Sequence, residues 1–158
     1  MKERLEIVEV HGPERLEDIR ELFSEYVEAL GFDLDFQDYE REYEELPGEY
    51  APPDGRLLLA LYGFKAVGCV ALRKFAESDC EMKRLYVRPE SRGKGVGKAL
   101  ARAVIAEAKR IGYEKMMLDT VPSMVEAIAL YRSLDFRERE PYRYNPVDGA
   151  VFMELALV

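Results

Sequence analysis

The sequence predicts a mixed α/β domain, and three observations predict it. Two apolar runs, residues 57–61 and 66–72, flank the tight connection Tyr62-Gly63-Phe64-Lys65, which reads as an antiparallel hairpin. Further on, a strand pattern over 80–87, a helical stripe and a strand pattern over 115–121 follow one another, a crossover that implies parallel pairing. Residues 150–158 alternate between apolar and polar and end the chain as a strand. A chain of 158 residues, 48% of them hydrophobic, suits a single domain spanning residues 1–158 with a sizeable core.

In chain order, residues 5–10 read as a first strand that stops at His11-Gly12-Pro13. Leu16, Ile19, Phe23, Val27 and Leu30 then recur at helical spacing, with Gly31 as the stop signal. Residues 32–49 are strongly acidic, and Phe36, Tyr39, Tyr43 and Leu46 run through them at helical spacing, so a second helix is expected. Two readings of that segment stay open: an amphipathic helix with a solvated acidic face, or an acidic, aromatic rim for a cationic acceptor. Pro47-Gly48 and Pro52-Pro53-Asp54-Gly55 make the loop that follows. The continuous apolar run 57–61 suits a strand buried on both faces. Val96, Leu100, Val104, Ala108 and Ile111 form the stripe of the crossover helix, closed by Gly112. Pro122-Ser123 breaks the next strand, and Ala127, Leu130, Tyr131 and Leu134 share the face of another helix. Residues 136–138 suggest a short strand, and 141–149 form a loop rich in turn formers.

Composition narrows the function. A formal net charge of -8 argues against a nucleic-acid binder, whose affinity rests largely on neutralising phosphates. Cys69, Cys80 and the lone His11 do not form a metal-spaced cluster, so no metal is expected. No stretch resembles a signal peptide or a membrane span, so a cytoplasmic protein with reduced thiols and no membrane partner is expected.

Against that acidic background the segment Arg92-Gly93-Lys94-Gly95-Val96-Gly97-Lys98 is basic and glycine-spaced, and it opens a helix after a strand. Backbone N–H groups at a helix start, together with the dipole, favour an anion, so the local reading is a pyrophosphate cradle. A nucleoside-triphosphate loop needs four residues between its first Gly and Gly-Lys, then Ser or Thr; Gly93 and Gly97 enclose three, and Ala99 follows Lys98. A dinucleotide loop has G-x-G-x-x-G, whereas Gly93, Gly95 and Gly97 give G-x-G-x-G.

The same residues match R/Q-x-x-G-x-G, with Arg92 first, and the chain here resembles the GNAT family of N-acetyltransferases. Residues 127–136, Ala127-Ile128-Ala129-Leu130-Tyr131 through Phe136, are similar to the family's second signature, an A-I-x-L-Y helix followed by G-F. The two motif regions cover about residues 80–136. The resemblance implies a GNAT-type acyl-CoA N-acyltransferase fold: a mostly antiparallel sheet, flanked by helices, that splays open between the strands ending at Val87 and Thr120. It implies that acetyl-CoA lies in that gap.

The resemblance also implies roles. The backbone of Gly93, Lys94, Gly95, Val96, Gly97 and Lys98 would bind the pyrophosphate, with Arg92 contacting phosphate or fixing the loop. Leu85, Tyr86 and Val87 would pair with the pantetheine arm along the open strand edge. The N–H of Val87 would polarise the thioester carbonyl, with the assignment moving by a residue if the strand carries a bulge. Tyr131 stands where the family's general acid is found; the other reading is a packing role. Ala127 and Leu130 would line the cofactor. Met124 occupies the place of a frequent Asn, so Thr120 or Ser123 would replace its contact. Asp135 stands where Gly usually precedes Phe, a position in which Asp tolerates left-handed backbone.

Glu81 is the candidate base. It lies four residues before Leu85, so period two puts both on one strand face ahead of any bulge, and partial burial would raise its pKa. The alternative is a carboxylate paired with Lys83 or Arg73. A covalent role for Cys80 lacks a neighbouring histidine. The acceptor site would come from the acidic segment and from Tyr142, Arg143 and Tyr144. An acidic rim favours a protonated amine, whereas Arg143 favours a carboxylate, and the two stay open. The expected activity is direct acetyl transfer to a primary amine of a small molecule or peptide. The alternatives are an acyl-CoA-binding regulatory module without turnover and a magnesium-dependent nucleotide hydrolase. The last strand is an available surface for a homodimer.

Overall fold

The computed structural model describes residues 4–31 and 39–158. The part of the acidic segment that holds Phe32, Asp33, Asp35, Phe36 and Asp38 lies outside the described residues. The chain builds β1 (Leu5–Glu9), α1 (Leu16–Leu30), α2 (Tyr39–Glu45), β2 (Arg56–Tyr62), β3 (Lys65–Lys74), β4 (Asp79–Val87), α3 (Val96–Ile111), β5 (Lys115–Thr120), α4 (Val125–Ser133), β6 (Arg137–Arg139) and β7 (Val151–Ala156). The strands form one sheet in the order β1-β2-β3-β4-β5-β7-β6. Every neighbouring pair is antiparallel except β4 and β5, the two joined by the α3 crossover.

Alternation along the central strands separates two cores. In β2, Leu57, Leu59 and Leu61 pack toward α1 with Ile19, Leu22 and Phe23, while Leu58 and Ala60 pack toward α3 with Val96, Leu100 and Val104. A strand that feeds both faces has to be apolar throughout, which is why β2 reads as an unbroken run. The helices stop where expected: Gly31 and Gly112 take left-handed backbone at the ends of α1 and α3. Asp135 is left-handed as well, at φ 76°, so the turn after α4 forms without glycine. No helix among the described residues is long and apolar enough to cross a membrane.

One expectation is corrected here. The last strand is not a free edge, because β7 is bonded to β5 on one side and to β6 on the other. Among the described residues the edge strands of the sheet are β1 and the three-residue β6.

Candidate active site

The site begins with an irregularity in β4. Cys69 of β3 faces Tyr86 and Ala71 faces Lys83, so Arg84 and Leu85 together oppose the single residue Val70. Arg84 sits at φ 60°, the left-handed geometry of a β-bulge. The bulge reverses the alternation. Before it, Cys80 and Met82 join the α3-side core; after it, Leu85 and Val87 do, and Tyr86 joins the α1-side core. Glu81 and Leu85 therefore lie on opposite faces, contrary to the period-two expectation, because the extra residue shifts the parity by one.

The bulge also marks where the sheet opens. The parallel pairing of β4 with β5 covers only Asp79–Glu81 against Lys115–Met117, whereas β4 runs on to Val87 and β5 to Thr120. A cleft of about 500 Å³ fills the gap. It is bordered by Leu85, Tyr86 and Val87 of β4, by Ser91, Arg92, Gly93, Gly95, Val96 and Gly97, and by Ser123, Met124, Ala127 and Leu130 around α4. The Arg88 N–H bonds to Val67 O at 2.8 Å, so by strand alternation the Val87 N–H points away from β3, toward the cleft.

At the head of the cleft, Gly93 and Gly95 hold φ of 78° and 80° with nothing within 4 Å of where a Cβ would stand. Their glycines are needed for backbone sign rather than for room. Gly97 has no such constraint, and a Cβ there would meet Val87 and Leu130 at 3.6 and 3.7 Å, which is ordinary contact. Ala99 is the first residue of α3 whose N–H closes a helical bond, to Gly95 O at 3.0 Å. The N–H groups of Val96, Gly97 and Lys98 are thus left without intrahelical acceptors, as at any helix start. Arg92 fixes this geometry: its Nε donates to Val87 O at 2.9 Å and its guanidinium lies 5.8 Å from the Tyr86 ring centre.

Other expected residues stand elsewhere. Lys94, Lys98, Thr120 and Tyr131 do not border the cleft, and the Lys94 ammonium lies 5.8 Å from the Tyr62 ring centre. Tyr131 is buried, with its ring 5.7 Å from that of Phe136, and its hydroxyl makes no hydrogen bond among the described residues. Burial pushes its phenol well up, with smaller contributions in the same direction from Tyr26 and Asp119.

The wall contributed by α1 escaped the sequence reading. Tyr26, Ala29 and Leu30 border the cleft, and Glu25 ties the helix to β4. Its carboxylate accepts from Arg88 Nη2 at 2.8 Å and from the Tyr86 hydroxyl at 3.2 Å. The pattern placed Leu30 on the buried stripe, and its neighbours on that helix are the signal for the wall.

On the α1 face of β4 lies a second, buried constellation. Glu81 is 0% exposed. It accepts from Arg73 Nε at 3.0 Å, from Arg143 Nη2 at 2.7 Å and from the Tyr142 hydroxyl at 2.6 Å. Burial raises its pKa, but the positive charges of Lys83, Arg143 and Arg73 and the Tyr142 bond outweigh this, and the carboxyl is held below its ordinary value. The expected upward shift is therefore reversed. Tyr142 is pushed far up, by burial first and then by the Glu81 charge. Arg84 bonds to Glu42 at 2.9 Å, and its guanidinium lies 5.9 Å from the Tyr26 ring centre and 5.5 Å from that of Tyr39. Lys83 is pushed down to about 7, by burial and then by Arg84. Of the three residues expected to meet the acceptor, Tyr142 and Arg143 converge on Glu81, whereas Tyr144 is 75% exposed. Asn145, which the sequence did not single out, donates to Asp119 Oδ2 at 3.1 Å and pins the same loop to β5.

A model of the acetyltransferase (GNAT) family matches residues 16–136. The chain is 40% identical over 156 residues to an uncharacterized N-acetyltransferase of Schizosaccharomyces pombe, covering 97% of this chain and 95% of that one. Its fold is similar to a crystal structure of a GNAT-family acetyltransferase from Staphylococcus aureus Mu50, with TM-score 0.80 at 21% identity, covering 98% of this chain and 100% of that one. It is also similar to the PaiA N-acetyltransferase of Thermoplasma acidophilum in complex with coenzyme A, with TM-score 0.75 at 21% identity, covering 97% of this chain and 99% of that one.

Proposed function

From the premise that this chain belongs to the acetyltransferase (GNAT) family, we propose that it moves an acetyl group from acetyl-coenzyme A to a primary amine of a small molecule or peptide. The observation that carries this reading is the splay itself. One cleft joins an unpaired strand edge to a helix start whose N–H groups lack intrahelical acceptors. A diphosphate fits the helix start, and a peptide-like arm fits the edge.

When bound, acetyl-coenzyme A supplies an activated thioester. The chain's residues do the rest. The N–H groups of Val96, Gly97 and Lys98 bind phosphate oxygens, and the left-handed Gly93 and Gly95 shape the turn that presents them. Arg92 holds the turn to β4 through Val87 O. The Val87 N–H points into the cleft and polarises the acyl carbonyl, and the charge that develops there is stabilised by a donor already in place. Tyr131 follows Leu130, which borders the cleft, and burial pushes its phenol up so that it keeps its proton at neutral pH; its assigned role is to give that proton to the departing sulfur. Glu81 is ionised, but its oxygens are engaged by Arg73, Arg143 and Tyr142. We therefore assign it to positioning Tyr142 and Arg143, and the proton of the attacking amine leaves to water.

The test is thiol release from acetyl-coenzyme A across a panel of amines. Tyr131→Phe is expected to lower kcat by about tenfold or more while leaving coenzyme A affinity unchanged by calorimetry. Unchanged turnover in that variant removes Tyr131 as the acid. Coenzyme A binding with no acetylation of any amine supports a binding module instead.

A further inference from the structure

The cleft has two ends of different make. Its head is the helix start at Gly95. From there the open edge of β4 runs back through Val87, Tyr86 and Leu85 to the bulge at Arg84, and before that bulge, at Glu81, β4 is again paired with β5. A donor held by its diphosphate at the head therefore points its acyl end toward the bulge. The residues that border that end decide how long an acyl chain the cleft takes.

Tyr26 stands at that end. It borders the cleft from α1, on the same helix face as Ala29 and Leu30. Three neighbours locate its ring. The guanidinium of Arg84, the bulge residue, lies 5.9 Å from the ring centre. The Tyr86 ring of the strand edge meets it edge-on, at 6.2 Å between centres and 79° between planes. The phenol of Tyr131, the residue assigned to the departing sulfur, is pushed up by Tyr26 second only to burial. Ring–ring and cation–ring contacts together hold the Tyr26 side chain in place. Behind the ring there is no apolar space to continue into. Arg84 is 3% exposed and bonds to Glu42 at 2.9 Å, and its guanidinium also lies 5.5 Å from the Tyr39 ring centre. An apolar tail that passed Tyr26 would meet buried, paired ions, and separating them would cost more than burying a few methylenes returns.

We propose that Tyr26 closes the acyl end of the cleft and restricts the donor to acetyl and comparably short acyl groups. The proposal rests on the acetyl-transfer reading above and names the residue that sets its donor class. Tyr26 is a specificity residue here. The bulk of its ring sets the limit, and its hydroxyl is dispensable for it.

The test compares acetyl-, butyryl-, hexanoyl- and octanoyl-coenzyme A. Binding of each donor is read by calorimetry without an acceptor, which needs no turnover, and thiol release is then read with the best amine of the panel. The unaltered protein is expected to favour acetyl over hexanoyl by about a hundredfold in kcat/KM, with affinity falling in the same order. Tyr26→Ala and the more conservative Tyr26→Leu are each expected to bring hexanoyl to within about tenfold of acetyl and to leave affinity for free coenzyme A unchanged. Tyr26→Phe keeps the bulk and is expected to keep the preference. Variants that change only the melting temperature and leave the chain-length order as it was would overturn the proposal, since that is the signature of a packing role. So would an unaltered protein that takes hexanoyl as readily as acetyl, a result that needs no variant to fold. Affinity that falls with chain length and recovers in Tyr26→Leu, while no donor acylates any amine, would sink the transfer reading and leave the closure by Tyr26 standing.

Discussion

The two faces of β4 are built on different principles. Toward α3 and α4, the cleft is made mainly of backbone: helix-start N–H groups, two left-handed glycines and an unpaired strand edge. Toward α1 and α2, the surface is made of long charged side chains that meet from β3, β4 and a distant loop. A backbone site tolerates many side chains and demands a few exact dihedrals, while a side-chain site demands particular charges and tolerates almost any dihedral that delivers them. The two halves should therefore fail in different ways.

The largest effect is expected at Glu81. Glu81→Gln leaves the half-buried Arg143 without its carboxylate and Arg73 with Glu49 alone, and should cost about 3 kcal/mol of unfolding free energy in denaturant titrations. The linkage has a definite sign. The Glu81 pKa is depressed in the folded state, so its stabilisation is present above the ordinary carboxylate value and lost as pH falls through the folded one. The variant's stability should accordingly be flatter in acid. A cost near zero would show that the side-chain half is less tightly coupled than its distances imply.

Lys83 tests the same half at the other end of the pH scale. Its folded pKa of about 7 lies below the ordinary 10.5, so the unfolded chain binds the extra proton between those values. The penalty is fully present below about 7 and is relieved as pH rises toward 10.5. The groups that set it are Arg84 and Glu81 on the same strand, Arg73 on β3 and Arg143 on the loop. Lys83→Met should abolish that rise in stability, an effect on the order of 2 kcal/mol after relaxation, measured by melts across the range.

The backbone half is probed by a pair of glycines. Gly95→Val forces a β-branched residue to φ 80° and should weaken coenzyme A binding by at least about tenfold in calorimetry. Gly97→Ala has no such strain and should change affinity by less than about threefold. Equal losses at both positions would mean that room, rather than backbone sign, governs the loop. The smallest effect belongs to the strut between the halves. Glu25→Gln weakens the ties from α1 to Arg88 and Tyr86 and should cost about 1 kcal/mol of stability.

The same division explains what could be read from the chain before folding. Gly93, Gly95 and the strand before them were legible because a backbone cradle writes itself as glycine at fixed spacing. The hairpin, the crossover helix and the buried β2 were legible because periodicity reports burial directly. The side-chain constellation around Glu81 was less so. Arg73 lies eight residues before Glu81, and their pairing is among the sequence readings, whereas Arg143 lies 62 residues beyond Glu81 and meets it only through the fold. Glu81 was singled out for its position, and the sign of its pKa shift was misread, because Arg143 and Tyr142 reach it from a distant loop. The bulge at Arg84 left no mark, since nothing in the residue type announces a left-handed arginine. The α1 wall was hidden because Tyr26 and Ala29 flank the apolar stripe.

That single inserted residue has a consequence for how such a protein can diversify. Because the strand changes parity at Arg84, positions 81 and 83 before it and positions 85 and 87 after it lie on opposite faces. Heritable change at 81, 83 and 84 can alter one face of the strand while 85 and 87 go on building the other. The bulge works as a hinge in inheritance rather than in motion, letting one side of a single strand explore new partners while the other keeps its trade.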